Sequence, residues 1–184
     1  MITGPPGSGK TAVVRELVGV GIHGGVAEPA RRVIAEQRAI DGDGLYDKNP
    51  RVFLDLMLSR AVADFRSMSG APGPVFFDRG IPDLIGYAEL FGLDASAAAS
   101  AAAVHRYNDL VFVLPSWPEI YVTDSERRMT FEAAEAFGER VRGIYVECGY
   151  SVIDVPRDAV SARARFILNT LGLVGDGSVA GTAG

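Results

Sequence analysis

The sequence predicts an α/β fold, a parallel sheet with helices on both faces and its ligand side at the carboxyl ends of the strands. Three observations carry this. Short apolar runs bounded by turn residues alternate with helical patterns along most of the chain. Residues 4–11 read GPPGSGKT and meet the spacing G-x-x-x-x-G-K-[ST] at every specified position. The apolar run Val75-Phe76-Phe77 ends on Asp78, a carboxylate where such a sheet faces its ligand.

The elements follow in order. Residues 1–3 end a first strand, and residues 10–20 form a helix with Val13, Val14, Leu17 and Val18 inward. A second strand over 25–28 leads to a helix over 31–40, and DGDGLYDKN at 41–49 is an exposed turn. Asn49-Pro50 reads as an N-cap with proline at the first helical position, opening a helix to about residue 68. Strand 75–77 precedes helix 82–91, and the alanine-rich stretch 95–105 is a further helix. Strand 110–114 leads into an irregular segment at 115–123, a long helix over 126–147, a last strand at 151–155 and a last helix at 158–171. The expected organisation is one domain over 1–171, a lid at about 115–130, and a disordered Gly/Ser/Ala-rich tail at 172–184. Only three residues precede Gly4, short for a central strand; the favoured reading is a start upstream of Met1, with upstream apolar residues adding stability.

Composition narrows the function. At 184 residues and 48% hydrophobic content the chain can bury one good core. A net charge of −5 supplies no global attraction for nucleic acid, so none is expected as a partner. The lone Cys148 excludes an intrachain disulfide and reads as a packed thiol. No apolar run reaches membrane-spanning length and no signal peptide opens the chain, so the expected location is the cytoplasm.

The chemistry begins at the glycine-rich loop. Gly4, Pro5, Pro6, Gly7, Ser8, Gly9, Lys10 and Thr11 form a cradle whose backbone N–H groups meet phosphate oxygens, the glycines allowing close approach. Lys10 would reach the β- and γ-phosphates and the Thr11 hydroxyl would bind Mg²⁺. Lysine is otherwise avoided, with Lys48 the only other one among 18 basic residues, so Lys10 at the motif position is not incidental. Asp78 reads as the carboxylate of the Mg²⁺ shell, and Arg79 as a contact to a phosphate or an acceptor, with a solvated turn arginine as its alternative.

Glu28 ends another strand, and Pro29 restricts it to extended backbone. It is placed to accept a proton from an attacking hydroxyl or to bind the metal through water, with Arg31 holding an anionic group; a local Glu28–Arg31 ion pair is the plainer alternative. Arg127 and Arg128 fall near the expected helix start at 126, where the macrodipole disfavours cations. Closure over the γ-phosphate gives them a purpose; surface neutralisation by Asp124 and Glu126 is the alternative. Trp117 and Tyr121 either line a pocket, stack on a base, or hold their loop to the core. His23 and His105 lack metal-ligand spacing and read as structural.

On GPPGSGKT, EPAR at 28–31, FFDRGIPD at 76–83 and LPSWPEIYVTDSERR at 114–128, the chain resembles a family of P-loop ATPases grouped with the AAA ATPases. It is similar in particular to the nucleoside and nucleotide kinases, notably the nicotinamide ribonucleoside kinase module. The resemblance implies a P-loop NTPase three-layer sandwich with a five-stranded parallel sheet of order 2-3-1-4-5, and ATP with Mg²⁺ as the ligand. It implies that Glu28 serves as base or metal-shell residue, that Asp78 and Arg79 lie at the phosphates, and that a lid bears Arg127 and Arg128. Two departures count. AAA machines carry Asp-Glu where this chain has Asp78-Arg79, and no Asn/Thr-Lys-x-Asp guanine motif is present. The expected activity is Mg²⁺-dependent transfer of the ATP γ-phosphate to a hydroxyl or phosphate of a nucleoside-like acceptor, with a slow, nucleotide-gated regulatory ATPase as the alternative. A small-molecule acceptor is the expected partner, and a homodimer is left open.

Overall fold

The computed structural model describes residues 1–121 and 129–173. Strand β1 (Ile2–Thr3) lies beside β4 (Leu110–Val113), which lies beside β5 (Ser151–Asp154), all parallel. Strands β2 (Gly24–Val26) and β3 (Val75–Phe77) form a second parallel pair. A single parallel bridge, Ile2 to Asp78, joins the two groups, and Arg79 N donates to Ile2 O at 2.9 Å beside it. The expected continuous five-stranded sheet is therefore a three-stranded and a two-stranded sheet meeting at one bridge. Ile2 registers with Asp78, one residue past the end of β3, so β1 meets that pair only beyond its last paired residue.

Alternation along the strands sorts the helices into layers. Ile2, Phe76 and Phe112 face a core shared with α1 (Lys10–Gly19) and α7 (Val160–Thr170). Phe77, Val111 and Val113 face the opposite core, built with α6 (Phe131–Glu147) through Phe137, Val141 and Tyr145. A third core joins α2 (Pro29–Ala39), α3 (Pro50–Met68), α4 (Asp83–Leu90) and α5 (Ser96–Val104), centred on Phe53, Met57, Leu84 and Ala88.

Local chemistry sets the helix starts. The Asn49 side chain accepts from Val52 N at 3.3 Å and Pro50 occupies the first turn of α3, as read from sequence. Helix α2 begins at Pro29 rather than 31, because the ring fixes φ for a first helical residue and leaves Glu28 as the cap. Helix α6 begins at Phe131 rather than 126: Thr130 is extended, and its hydroxyl accepts from Ala133 N at 3.3 Å. Arg127 and Arg128, with the macrodipole argument attached to them, lie outside the described residues. So does most of the tail, from residue 174 onward. Among the described residues no helix is long and apolar enough to cross a membrane.

Candidate active site

The glycine loop leaves β1 and enters α1 through three glycines at positive φ: Gly4 at 134°, Gly7 at 79° and Gly9 at 85°. A Cβ on Gly4 would stand 2.3 Å from Leu114 O, so the residue that follows β4 fixes the loop's first turn. A Cβ on Gly7 would stand 2.5 Å from Cδ2 of Tyr121, whose ring covers the loop crest while its hydroxyl donates to Met129 O at 2.5 Å. Helix α6 presses on the loop from another side: a Cβ on Gly138 would lie 2.8 Å from Pro5 Cδ. Helix α1 has no acidic residue in its first turn, so its positive end is left to an external anion.

Lys10 is buried, and its ammonium donates to Gly4 O at 3.1 Å and Pro5 O at 2.7 Å. Burial, followed by the nearby charge of Arg79, pushes its pKa down to about 7. Thr11 Oγ1 donates to Asp78 Oδ2 at 2.5 Å. The other oxygen of Asp78, Oδ1, is buried with no hydrogen-bond partner among the described residues. Burial first, and the charge of Glu28 second, hold the Asp78 carboxyl above its ordinary range. A hydroxyl and a carboxylate with an unsatisfied oxygen at the foot of a phosphate loop are hard oxygen donors that fit Mg²⁺; Thr11 and Asp78 would hold it.

The end of β3 turns sharply. Arg79 has φ 71°, the left-handed region, which a side chain other than glycine rarely takes. The turn sends Asp78 toward the loop and sinks Arg79 into the protein at 4% exposure. Its Nε donates to Glu28 Oε1 at 2.8 Å and its Nη1 to Asp83 Oδ1 at 2.8 Å. Arg31 lies on the other side of Glu28, with Nε 3.7 Å from Oε2. The Glu28–Arg31 pair anticipated as an alternative is thus present, within a larger cluster centred on Arg79.

Beside Glu28 opens a cavity of about 330 Å³. Its walls are largely apolar and aromatic, among them Tyr46, Phe53, Tyr87 and Phe91, with Ile34 and Ala30 below. Two charged side chains that border it, Glu28 and Arg31, stand with Pro6 of the glycine loop. Trp117 and Tyr121 are not among its walls. Arg163 Nη1 donates to Ser8 O at 2.9 Å, and its guanidinium lies 5.4 Å from the Trp117 ring centre. Tyr121 thus packs on the glycine loop directly and Trp117 through Arg163, away from the cavity wall. His105 stacks edge-on against Phe65 at 5.4 Å, and burial pushes the Cys148 thiol up, away from thiolate chemistry.

Sequence reading missed Asp83, Tyr145, Arg163 and Gly138. Asp83 stood inside the quoted FFDRGIPD stretch, and a carboxylate four residues beyond Arg79 on a helix start was the available signal. The other three are distant in sequence and carried none.

Comparison with known proteins agrees with this geometry. A family described as an AAA domain matches residues 1–163, and the chain belongs to it. No curated protein matches the sequence. Among solved structures, the NadR protein in complex with NR superposes with a TM-score of 0.68 at 22% identity, over 92% of this chain and 49% of that one. The chain thus spans about half the length of NadR. The deoxyadenosine kinase from M. mycoides with bound dCTP gives a TM-score of 0.64 at 15% identity, covering 94% of this chain and 98% of that one. The shikimate kinase from Acinetobacter baumannii in complex with shikimate gives 0.53 at 16% identity, covering 92% and 90%. At these identities the shared property is the fold, that of a small P-loop kinase-like domain.

Proposed function

We propose that this protein is a Mg²⁺-dependent small-molecule kinase that transfers the ATP γ-phosphate to a hydroxyl of an acceptor held in the aromatic cavity. One observation carries the reading: Glu28 stands at a cavity whose wall includes Pro6 of the phosphate loop, so donor and acceptor sites share an edge. Phosphoryl transfer needs that adjacency, because nucleophile and leaving group lie in line through the phosphorus.

The residues divide the work. The backbone of residues 4–11 cradles the phosphates, and Lys10 swings from the loop carbonyls to the terminal phosphates, where it meets developing charge. Thr11 and Asp78 would hold Mg²⁺, which would supply positive charge against the phosphates. Glu28 accepts the proton of the acceptor hydroxyl, and Arg31 orients a polar group of the acceptor at the cavity mouth. Arg127 and Arg128 are proposed to close over the γ-phosphate from the lid. The apolar walls favour an acceptor with a flat or apolar body, such as a nucleoside, and among the described residues Arg31 is the one cation in the wall, which favours a neutral acceptor over a nucleotide. The two sheets are proposed to act as one frame of order 2-3-1-4-5, a reading supported by the Ile2–Asp78 bridge.

The test is transfer of γ-labelled phosphate to a panel of nucleosides, neutral aromatic alcohols, polyols and nucleoside monophosphates. Label on a neutral acceptor, lost in Lys10→Ala and Glu28→Gln, is the expected result. Slow free phosphate unaltered by every acceptor would overturn it in favour of a regulatory ATPase.

A further inference from the structure

We propose that Asp83 is a positioning residue: through Arg79 it fixes the carboxylate of Glu28 at the mouth of the acceptor cavity. The proposal rests on the kinase reading above. Asp83 is fully buried and receives four hydrogen bonds, two on each oxygen. Thr3 Oγ1 donates to Oδ1 at 2.6 Å and Arg79 Nη1 at 2.8 Å; Gly80 N donates to Oδ2 at 2.9 Å and Tyr145 OH at 2.6 Å. A carboxylate so filled has one orientation.

The donors come from three separate places. Thr3 ends β1 immediately before the phosphate loop, Arg79 and Gly80 form the turn after β3, and Tyr145 sits on α6. Asp83 is where the phosphate-binding strand and the helix after the lid segment are tied to the turn carrying Asp78. Arg79 passes that alignment on. Its guanidinium is a rigid planar fork, so fixing Nη1 on Asp83 sets the direction in which Nε meets Glu28. The Tyr87 and Phe137 ring centres lie 5.7 and 5.6 Å from the guanidinium carbon and limit its movement. The strained φ of Arg79 also fits a side chain held inward by its partners. Buried and committed to two carboxylates, Arg79 acts on Glu28, and its burial excludes the solvated turn arginine read as its alternative.

The test uses the full chain labelled with ¹⁵N-arginine, the Arg79 Nε–H signal being assigned by its loss in Arg79→Lys. Wild type is expected to exchange this proton slowly, and Asp83→Asn to exchange it at least tenfold faster. The same variant should lower kcat for transfer at least tenfold while the Kd for Mg·ATP stays within threefold. A merely structural defect would not produce that split. Tyr145→Phe removes one of the four bonds and keeps the ring, so it is expected to show the same changes in milder form and serves if Asp83→Asn does not fold. Unchanged exchange in the variants, unchanged kcat in a folded variant, or a loss of Mg·ATP affinity as large as the loss in kcat would each overturn the proposal. Absence of transfer by the wild type to any acceptor would overturn the kinase reading and the catalytic purpose with it, while the exchange rates still decide whether Asp83 holds Arg79.

Discussion

The hydroxyl of Thr11 donates to Asp78 across 67 residues of sequence, at 2.5 Å, tying the first turn of α1 to the end of β3. This bond is the seam between the phosphate loop and the rest of the site, and it presents two oxygen ligands of the kind Mg²⁺ takes.

Breaking it separates metal from nucleotide. Asp78→Asn should lower transfer by about 100-fold or more, on the order of 3 kcal/mol of barrier. Nucleotide binding without Mg²⁺ should change only a few-fold. Titrating Mg²⁺ against rate and ATP affinity checks this, and retention of the normal Mg²⁺ dependence would remove Asp78 from the metal shell.

The buried ammonium of Lys10 makes nucleotide binding depend on pH. Its pKa is depressed to about 7, so above that pH the free protein holds it largely uncharged. A phosphate beside it favours the cation, so binding takes up a proton and affinity falls as pH rises from 7 toward 9. The sign for folding follows. The unfolded chain binds this proton up to its ordinary value of 10.5 and the folded chain does not, so the group's contribution to stability rises between about pH 7 and 10.5. Calorimetry of ATP binding in buffers of different ionisation enthalpy at pH 8 should show proton uptake, abolished in Lys10→Met.

Two loop glycines should respond differently. At Gly4 a methyl meets a backbone carbonyl 2.3 Å away at a φ that disfavours side chains, so Gly4→Ala should cost about 2–4 kcal/mol in urea unfolding. At Gly7 the obstacle is the Tyr121 ring, a side chain that moves. Gly7→Ala should cost less stability yet weaken ATP binding at least tenfold, because the displaced ring and the strained backbone reshape the phosphate cradle.

The cavity can be narrowed without touching the donor site. Ala30 lies in its wall at the start of α2, and Ala30→Leu should raise the acceptor KM at least tenfold and leave ATP affinity within twofold. An equal effect on both would mean that the cavity does not hold the acceptor.

Phe53 both lines the cavity and joins the core, meeting Tyr46 and Phe91 edge-on at 6.0 and 6.2 Å. Phe53→Ala should cost about 3–5 kcal/mol, measured by thermal unfolding.

Much of the site was legible in the residues themselves. The loop's glycines, Lys10 and Thr11 are local, since a phosphate cradle is a property of consecutive backbone groups. Asp78 and Glu28 were legible because each ends an apolar run, and strand ends in a parallel sheet converge on the ligand side. The helix starts at 29 and 131 were misplaced by two and five residues because single caps decide them, Pro29 in one case and Thr130 in the other. The break between the two sheets turns on register, Ile2 meeting Asp78 just past the end of β3, which no pattern of apolar residues encodes.

The sequence by itself determined the phosphate-binding loop, the parallel α/β class and the carboxylates at the strand ends, because each depends on short-range backbone geometry or on period-two burial. Only the tertiary structure decided that Arg79 is buried between Glu28 and Asp83, that Asp83 ties β1, α4 and α6 together, and that an aromatic cavity opens beside Glu28. Those depend on side chains from distant segments sharing one buried volume, where hydrogen-bond satisfaction and the exclusion of water, rather than spacing along the chain, select the partners.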